Sequence, residues 1–208
     1  PIACLPGFNL LGNTQNAAID VLATFGNINS PTGLGAAIAS VWKWDALNAR
    51  WLFHAPQLSA TDNAAYAARY GFGVLLSIQP GEGFWVNASA STVLPLTGTA
   101  PHAWSATSFA TLPSGFNLIA HTGGITPSQF NTLVSASPPS PGTVPTNNFA
   151  SLWMWDAGNS QWYFHSPQLE AQGGLAAVRQ FATSKSFRHF PDFAKTLDQG
   201  AGFWVNKF

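Results

Sequence analysis

SVWKWDALNARWLFHAPQL (Ser40–Leu58) and SLWMWDAGNSQWYFHSPQL (Ser151–Leu169) are one pattern written twice. In an extended chain, side chains two apart share a face. Trp42 and Trp44 therefore point together, with Lys43 opposite. Trp51 and Phe53 share a face of the next run, with Leu52 and His54 opposite. Asp45 and Asn48 bracket a short turn between the runs. Two alternating runs around such a turn predict a β-hairpin. Once paired, its four aromatics meet on one side, each cross-strand pair adding about 0.5–1 kcal/mol. The second copy repeats the set as Trp153, Trp155, Trp162 and Phe164, with Asp156 and Asn159 at the turn.

Other landmarks repeat in the same order on both sides of this block. LPGFNLLG (Leu5–Gly12) matches LPSGFNLIA (Leu112–Ala120). YAARYGF (Tyr66–Phe72) is echoed by FATSKSF (Phe181–Phe187), and GEGFWVN (Gly81–Asn87) by GAGFWVN (Gly200–Asn206). The offset grows from 108 to 111 to 119 along the chain. The added residues fall in the Pro-rich SPPSPGTVP (Ser137–Pro145) and around RHFPDF (Arg188–Phe193). The period is too long for solenoid or propeller-blade repeats, so each copy reads as a small domain. Residues 1–98 form the first, residues 99–111 a linker or shared strand, and residues 112–208 the second.

Within a copy, GFNLLG reads as a short strand. TQNAAIDVLATF reads as a helix capped by Thr14, with Ile19, Leu22 and Phe25 at helical spacing. TPSQFNTLV has Thr126 as cap and Pro127 at the first helical position. SATDNAAYAARY is a further helix, capped by Ser59 or Thr61. VLLSI and GFWVNAS read as strands around the turn QPGEG, and TVLPLTG as one more. The expected class is α+β, mainly antiparallel β: two tandem copies of one small domain, each with an aromatic hairpin and two short helices.

Composition narrows the function. Of 208 residues, 46% are hydrophobic and 13% aromatic, enough for a core. Charged residues are only 8% and net charge is zero, which argues against nucleic acid because that partner needs a basic patch. A polar surface built from Ser, Thr, Asn and Gln fits secreted and cell-surface proteins. No apolar stretch is long enough for a transmembrane helix and no residues here read as a signal peptide, so the chain is expected to be a mature or excised portion. LPLTG (Leu94–Gly98) matches a sortase-anchor pattern, but a long globular stretch follows it, so it reads as strand and turn. Cys4 is the single cysteine, which excludes an internal disulfide and a Cys-based zinc site. It reads as a small buried apolar residue, with an intermolecular bridge as the alternative.

Asp45 and His54 recur as Asp156 and His165, but the spacing puts them at opposite ends of the hairpin. Asp45 is expected to bond backbone N–H groups of its turn, and His54 a neighbouring loop. No metal-ligand spacing, nucleophile elbow, P-loop or dinucleotide fingerprint is present, so no catalytic residue, metal or cofactor is assigned. The tryptophan face has two readings. It is the core of each copy, or some of its rings stay open as a platform for sugar CH faces. On the second reading Trp42, Trp44, Trp51, Trp153, Trp155 and Trp162 stack a glycan, and Asp45, Asn48, Asp156 and Asn159 orient its hydroxyls. Trp85 and Trp204 alternate with apolar neighbours on both sides, which suits a buried central strand better than a binding edge.

The string G-F-N-L, W-x-W-D, W-x-F-H-x-P, G-x-G-F-W-V-N resembles repeats in bacterial secreted and surface multidomain proteins. Gly7–Leu10, Trp42–Asp45, Trp51–Pro56 and Gly81–Asn87 carry that resemblance, with their second-copy counterparts. It implies an extracytoplasmic accessory role and no catalytic residues. Ala201 stands where the first copy has Glu82, which sets Glu82 aside as a shared functional group. The hairpin is also similar to kelch blades, but the period of about 110 residues argues against a propeller.

Two functions follow. The first is a non-catalytic extracellular or adhesive module that binds polysaccharide or glycan through aromatics. The second is a structural unit that assembles with like subunits into a surface layer or filament. TVLPLTG and HAWSATSFATL lie between the copies with no equivalent at either terminus, so a neighbouring domain or subunit is expected to pair with the open sheet edges. A hydrolase stands behind both.

Overall fold

A computed structural model describes all residues, Pro1–Phe208. The chain is mixed α and β, rich in strands, with antiparallel sheets and mostly short helices. The first half contains β1 (Ile2–Cys4), β2 (Gly7–Gly12), β3 (Ile19–Asp20), α1 (Val21–Phe25), β4 (Gly26–Asn27) and β5 (Ser30–Pro31). It continues with β6 (Ile38–Asp45), β7 (Arg50–His54), α2 (Ala60–Arg69), β8 (Gly73–Val74), β9 (Ser77–Ile78), β10 (Gly83–Ala88) and β11 (Thr92–Leu94). Then come α3 (Ala106–Ala110), β12 (Gly115–Ala120), α4 (Pro127–Leu133), β13 (Phe149–Asp156) and β14 (Gln161–His165). The chain ends with α5 (Pro167–Ser184), β15 (Arg188–His189) and β16 (Gly202–Lys207).

Two five-stranded sheets have the same plan. Their strand orders are β2-β10-β6-β7-β8 and β12-β16-β13-β14-β15. The hairpins pair Trp42 with Phe53 and Trp44 with Trp51, and Trp153 with Phe164 and Trp155 with Trp162. Each closes through a four-residue turn whose last residue, Ala49 or Ser160, takes a left-handed φ of 48° or 51°. The GxGFWVN strands are central, flanked by GFN strands on one side and the hairpin on the other. Gly81 and Gly200 sit at φ 80° and 82°, where a side chain would be strained, which explains the first glycine of each motif. The terminal pairings β7–β8 and β14–β15 are parallel, an exception to the antiparallel expectation.

The main core lies on the face away from the tryptophans. In the first half Leu11, Val41, Phe84 and Val86 point that way and meet Ile19, Val21, Phe25, Leu75 and Ile78. In the second half Ile119, Leu152, Met154, Phe203 and Val205 meet Phe130, Phe190 and Leu197. Asn9 and Asn117 are buried there too. Each amide donates to two carbonyls of its own loop, Leu5 and Gly7, or Pro113 and Gly115. The Asn of the GFN motif thus satisfies a bend that would otherwise leave buried carbonyls unpaired.

Several local expectations change. The stretch Gln15–Asp20 is not helical, and α1 starts at Val21 with the Asp20 carboxylate as its cap. Thr14 is buried instead and accepts from Gly200 N–H at 3.1 Å. The Asn13 amide donates to Ala17 and Ile78 carbonyls, which holds this segment extended beside β9. Such side-chain-to-backbone bonds compete with helix formation. Of Ser59 and Thr61, Ser59 is the cap of α2, and Thr126 caps α4 with Pro127 in its first turn, as expected. The span α5 (Pro167–Ser184) is two helical pieces meeting at a kink, where the backbones of Gly173 and Gly174 are non-helical.

The segment between the halves is packed. β11 pairs antiparallel with β1, so the TVL strand finds its partner in Ile2–Cys4 of the same chain. That edge is not left for a neighbour, contrary to the sequence expectation. Cys4 is buried in this pairing. Within residues 99–111, Phe109 is part of the second core and Trp104 packs against it.

The halves meet through reciprocal contacts, the pattern of an isologous interface. Leu11 bridges Ala201 and Ile119 bridges Glu82. Gly12 N–H donates to Gly200 O at 2.8 Å, and Ala120 N–H to Gly81 O at 2.8 Å. Trp44 Nε1 donates to Phe116 O and Trp155 Nε1 to Phe8 O, both at 3.0 Å. A Cβ on Gly12 would lie 2.3 Å from that of Ala120, so the backbones need a glycine where they cross.

Candidate functional site: a tryptophan-lined groove

The strand registers place Phe8, Trp42, Trp44, Trp51, Trp85 and Phe53 on one face of the first sheet. Phe116, Trp153, Trp155, Trp162, Trp204 and Phe164 occupy the matching face of the second. Phe53 is buried against α2, and Phe164 against α5. None of the eight hairpin and GFWVN tryptophans is fully buried and none is fully exposed. The reading of this face as each half's core is therefore corrected: the core fills the opposite face, and these rings stay half-open.

The two faces adjoin. Trp204 lies 6.4 Å from Trp44 and 5.9 Å from Trp51, centroid to centroid. Reciprocally, Trp85 lies 6.2 Å from Trp155 and 5.9 Å from Trp162. Most of these contacts are edge-to-face, the favourable geometry for aromatic quadrupoles, worth about 0.5–1.5 kcal/mol per pair. A cavity of about 640 Å³ is lined only by Phe8, Trp42, Trp51, Phe72, Trp85, Trp155, Trp162 and Trp204. A second, of about 560 Å³, is lined only by Trp44, Trp51, Phe116, Trp153, Trp162, Phe187 and Trp204. Trp51, Trp162 and Trp204 border both. Phe8 and Phe116 stand about half exposed beside it.

The polar atoms available in this lining are the indole N–H groups. Trp42 donates to Ser40 Oγ at 2.9 Å and Trp153 to Ser151 Oγ at 3.0 Å, while Trp44 and Trp155 cross to the other half. The Nε1 groups of Trp51, Trp85, Trp162 and Trp204 have no partner within the chain.

All six hairpin tryptophans singled out in the sequence border the groove. Asp45, Asn48, Asp156 and Asn159 do not. Asp45 accepts from Asn48 N–H at 3.2 Å and from the Asn48 amide at 2.8 Å, and Asp156 repeats this with Asn159 at 3.1 and 3.0 Å. These bonds hold the Asp45 carboxyl below its usual pKa, Asn48 contributing most and Arg50 adding to it. Asp156 is also 3.0 Å from Arg188 Nη1. The four residues close their turns: Asp45 and Asp156 end their strands on the face opposite the tryptophans, and Asn48 and Asn159 lie in the turns themselves. Trp85, Trp204, Phe8, Phe116, Phe72 and Phe187 were missed as groove residues. Their signal was present, because each belongs to a landmark written twice.

Elsewhere, buried histidines lie among structural neighbours. His54 is buried against Gly26 O at 2.8 Å, and burial lowers its pKa. His165 is buried with Nε2 3.3 Å from Glu170, whose carboxylate also accepts from Ser128. Burial also lowers the pKa of His102 and His121. No group of three His, Cys, Asp or Glu side chains is arranged to hold a metal ion. No helix is long and apolar enough to cross a membrane.

No protein-family model, described protein or solved structure matches this chain. The functional reading therefore stands on the groove.

Proposed function

We propose that this chain is a non-catalytic binding module, outside the cell or at its surface, that holds a carbohydrate on the tryptophan groove. The observation that carries the reading is the lining: half-open aromatic rings, no charged side chain, and four indole N–H groups without a partner. A pyranose ring offers a CH face to stack on such rings and hydroxyl oxygens to accept from indole. The low charge content supports an extracellular setting. The paired landmarks and the shared strand order support reading the halves as tandem copies of one domain, residues 1–98 and 112–208, joined by residues 99–111.

The test is a glycan array and polysaccharide pull-down with the full chain, using cellulose, chitin and β-1,3-glucan. Retention on at least one neutral glycan is expected, and its loss in Trp51→Ala with near-ultraviolet circular dichroism otherwise preserved. Failure of the folded protein to bind any glycan would overturn the reading.

A further inference from the structure

The repeated motif suggests one site per half. The geometry points to one site per chain: an extended neutral oligosaccharide that lies across the junction and touches both halves at once. This deepens the carbohydrate reading and rests on it. Three observations support it. The ring contacts run unbroken across the junction, Trp51 to Trp204 and Trp85 to Trp162, each at 5.9 Å. The two cavities share Trp51, Trp162 and Trp204, so neither half's cavity is built from that half alone.

The indole hydrogen bonds divide in the same way. Trp42, Trp44, Trp153 and Trp155 spend their N–H groups on the protein, two of them in tying the halves together. Trp51, Trp85, Trp162 and Trp204 make the cross-junction ring contacts and keep their N–H groups unpaired. Donors without a partner therefore come equally from both halves at the junction. A ligand there meets apolar ring faces and no charged side chain. A uronic or sulfated chain would lose hydration without a counter-charge, so the match is to a neutral sugar polymer.

The experiment is titration calorimetry of the full chain with cellohexaose, laminarihexaose and N-acetylchitohexaose, each beside its disaccharide. One hexasaccharide per chain is expected, bound about tenfold or more tighter than the disaccharide. Trp51→Ala and Trp162→Ala lie in different halves, yet each is expected to weaken binding by about tenfold or more without changing the number of sites. Trp51→Phe and Trp162→Phe keep an aromatic ring in place while removing the N–H and part of the stacking area. They guard against misfolding and are expected to weaken binding several-fold. Two hexasaccharides per chain would overturn the single shared site and leave the carbohydrate reading standing. So would variants that each remove half of the sites and leave the rest at full affinity. Absence of binding by the folded wild type to all three sugars would overturn both.

Discussion

Lys43 and Met154 hold the same place in the two hairpins, on the face turned to the core. In the first half Lys43 Nζ reaches Glu82 at 2.7 Å and Ser77 O at 3.3 Å. In the second, Met154 is buried and Ala201 stands where Glu82 does. Leu52 is matched by the buried Tyr163, and Ile38 by Phe149. On the other face the rings of the sheet and groove are kept: Phe8, Trp42, Trp44, Trp51, Phe53, Phe72 and Trp85 recur as Phe116, Trp153, Trp155, Trp162, Phe164, Phe187 and Trp204, while Tyr66 and Val74 at its margin give way to Phe181 and His189. The lesson is that the hidden face tolerates compensated exchange. A core needs matched volume and satisfied polar groups, and several residue sets meet that demand. The groove face keeps the same side chains in both halves, although a half-open surface has the looser packing requirement.

That contrast can be broken in graded ways. The largest effect is expected in the core: Phe84→Ala and Phe203→Ala each remove a fully buried ring, at a cost of about 3–5 kcal/mol in denaturant unfolding. A loss under about 1 kcal/mol would show that the core is not on this face.

Next comes the exchanged pair. Glu82→Ala alone leaves Lys43, whose side chain is 12% exposed, without its counter-charge. A loss of about 1–3 kcal/mol is expected. The double variant Lys43→Met with Glu82→Ala transplants the second half's solution and is expected to recover most of that loss, because an apolar pair of suitable volume avoids charge desolvation. If the double variant is no better than the single, the halves are not interchangeable at this point.

Smaller is the cross-half bond. Trp44→Phe and Trp155→Phe each remove one indole donor to a carbonyl of the other half. Equal losses of about 0.5–1.5 kcal/mol are expected by the same denaturant measurement. Markedly unequal losses would break the reciprocity of the contact.

The smallest effect near neutrality is in pH. His54, His102 and His121 have folded-state pKa values lowered by burial. The unfolded chain therefore takes up protons first, near the ordinary imidazole pKa of about 6.5. Stability is full above that pH and falls as pH drops below it, toward the lowered folded values. Thermal melts at pH 7.5, 6.5 and 5.5 are expected to show Tm declining on the acid side. Asn stands at position 13 where the second half has His121. His121→Asn is expected to flatten the decline, and an unchanged slope would remove His121 from this account.

Much of the fold was legible because its signals are local. Alternation, the Asp45 and Asp156 turns, and the caps at Ser59 and Thr126 each depend on residues a few positions apart, and those elements are present. The stretch Gln15–Asp20 misled because its helical spacing yields to bonds from Asn13 to distant carbonyls, including that of Ile78. Trp85 misled for a related reason. It does sit on a central strand, but only one face of that strand is core. Asp45 and Asn48 were placed correctly at the turn, while their distance from the groove depended on strand register.

The sequence by itself determined that each half carries an aromatic hairpin, which residues share each face, and which residues turn the chain. Side-chain alternation is a property of the backbone and needs no partner to be read. Only the tertiary structure decided which face is buried. That choice depends on what packs across it: α1 and the β3–β9 pair close the Phe84 face, whereas the tryptophan face meets the tryptophans of the other half and remains half-open.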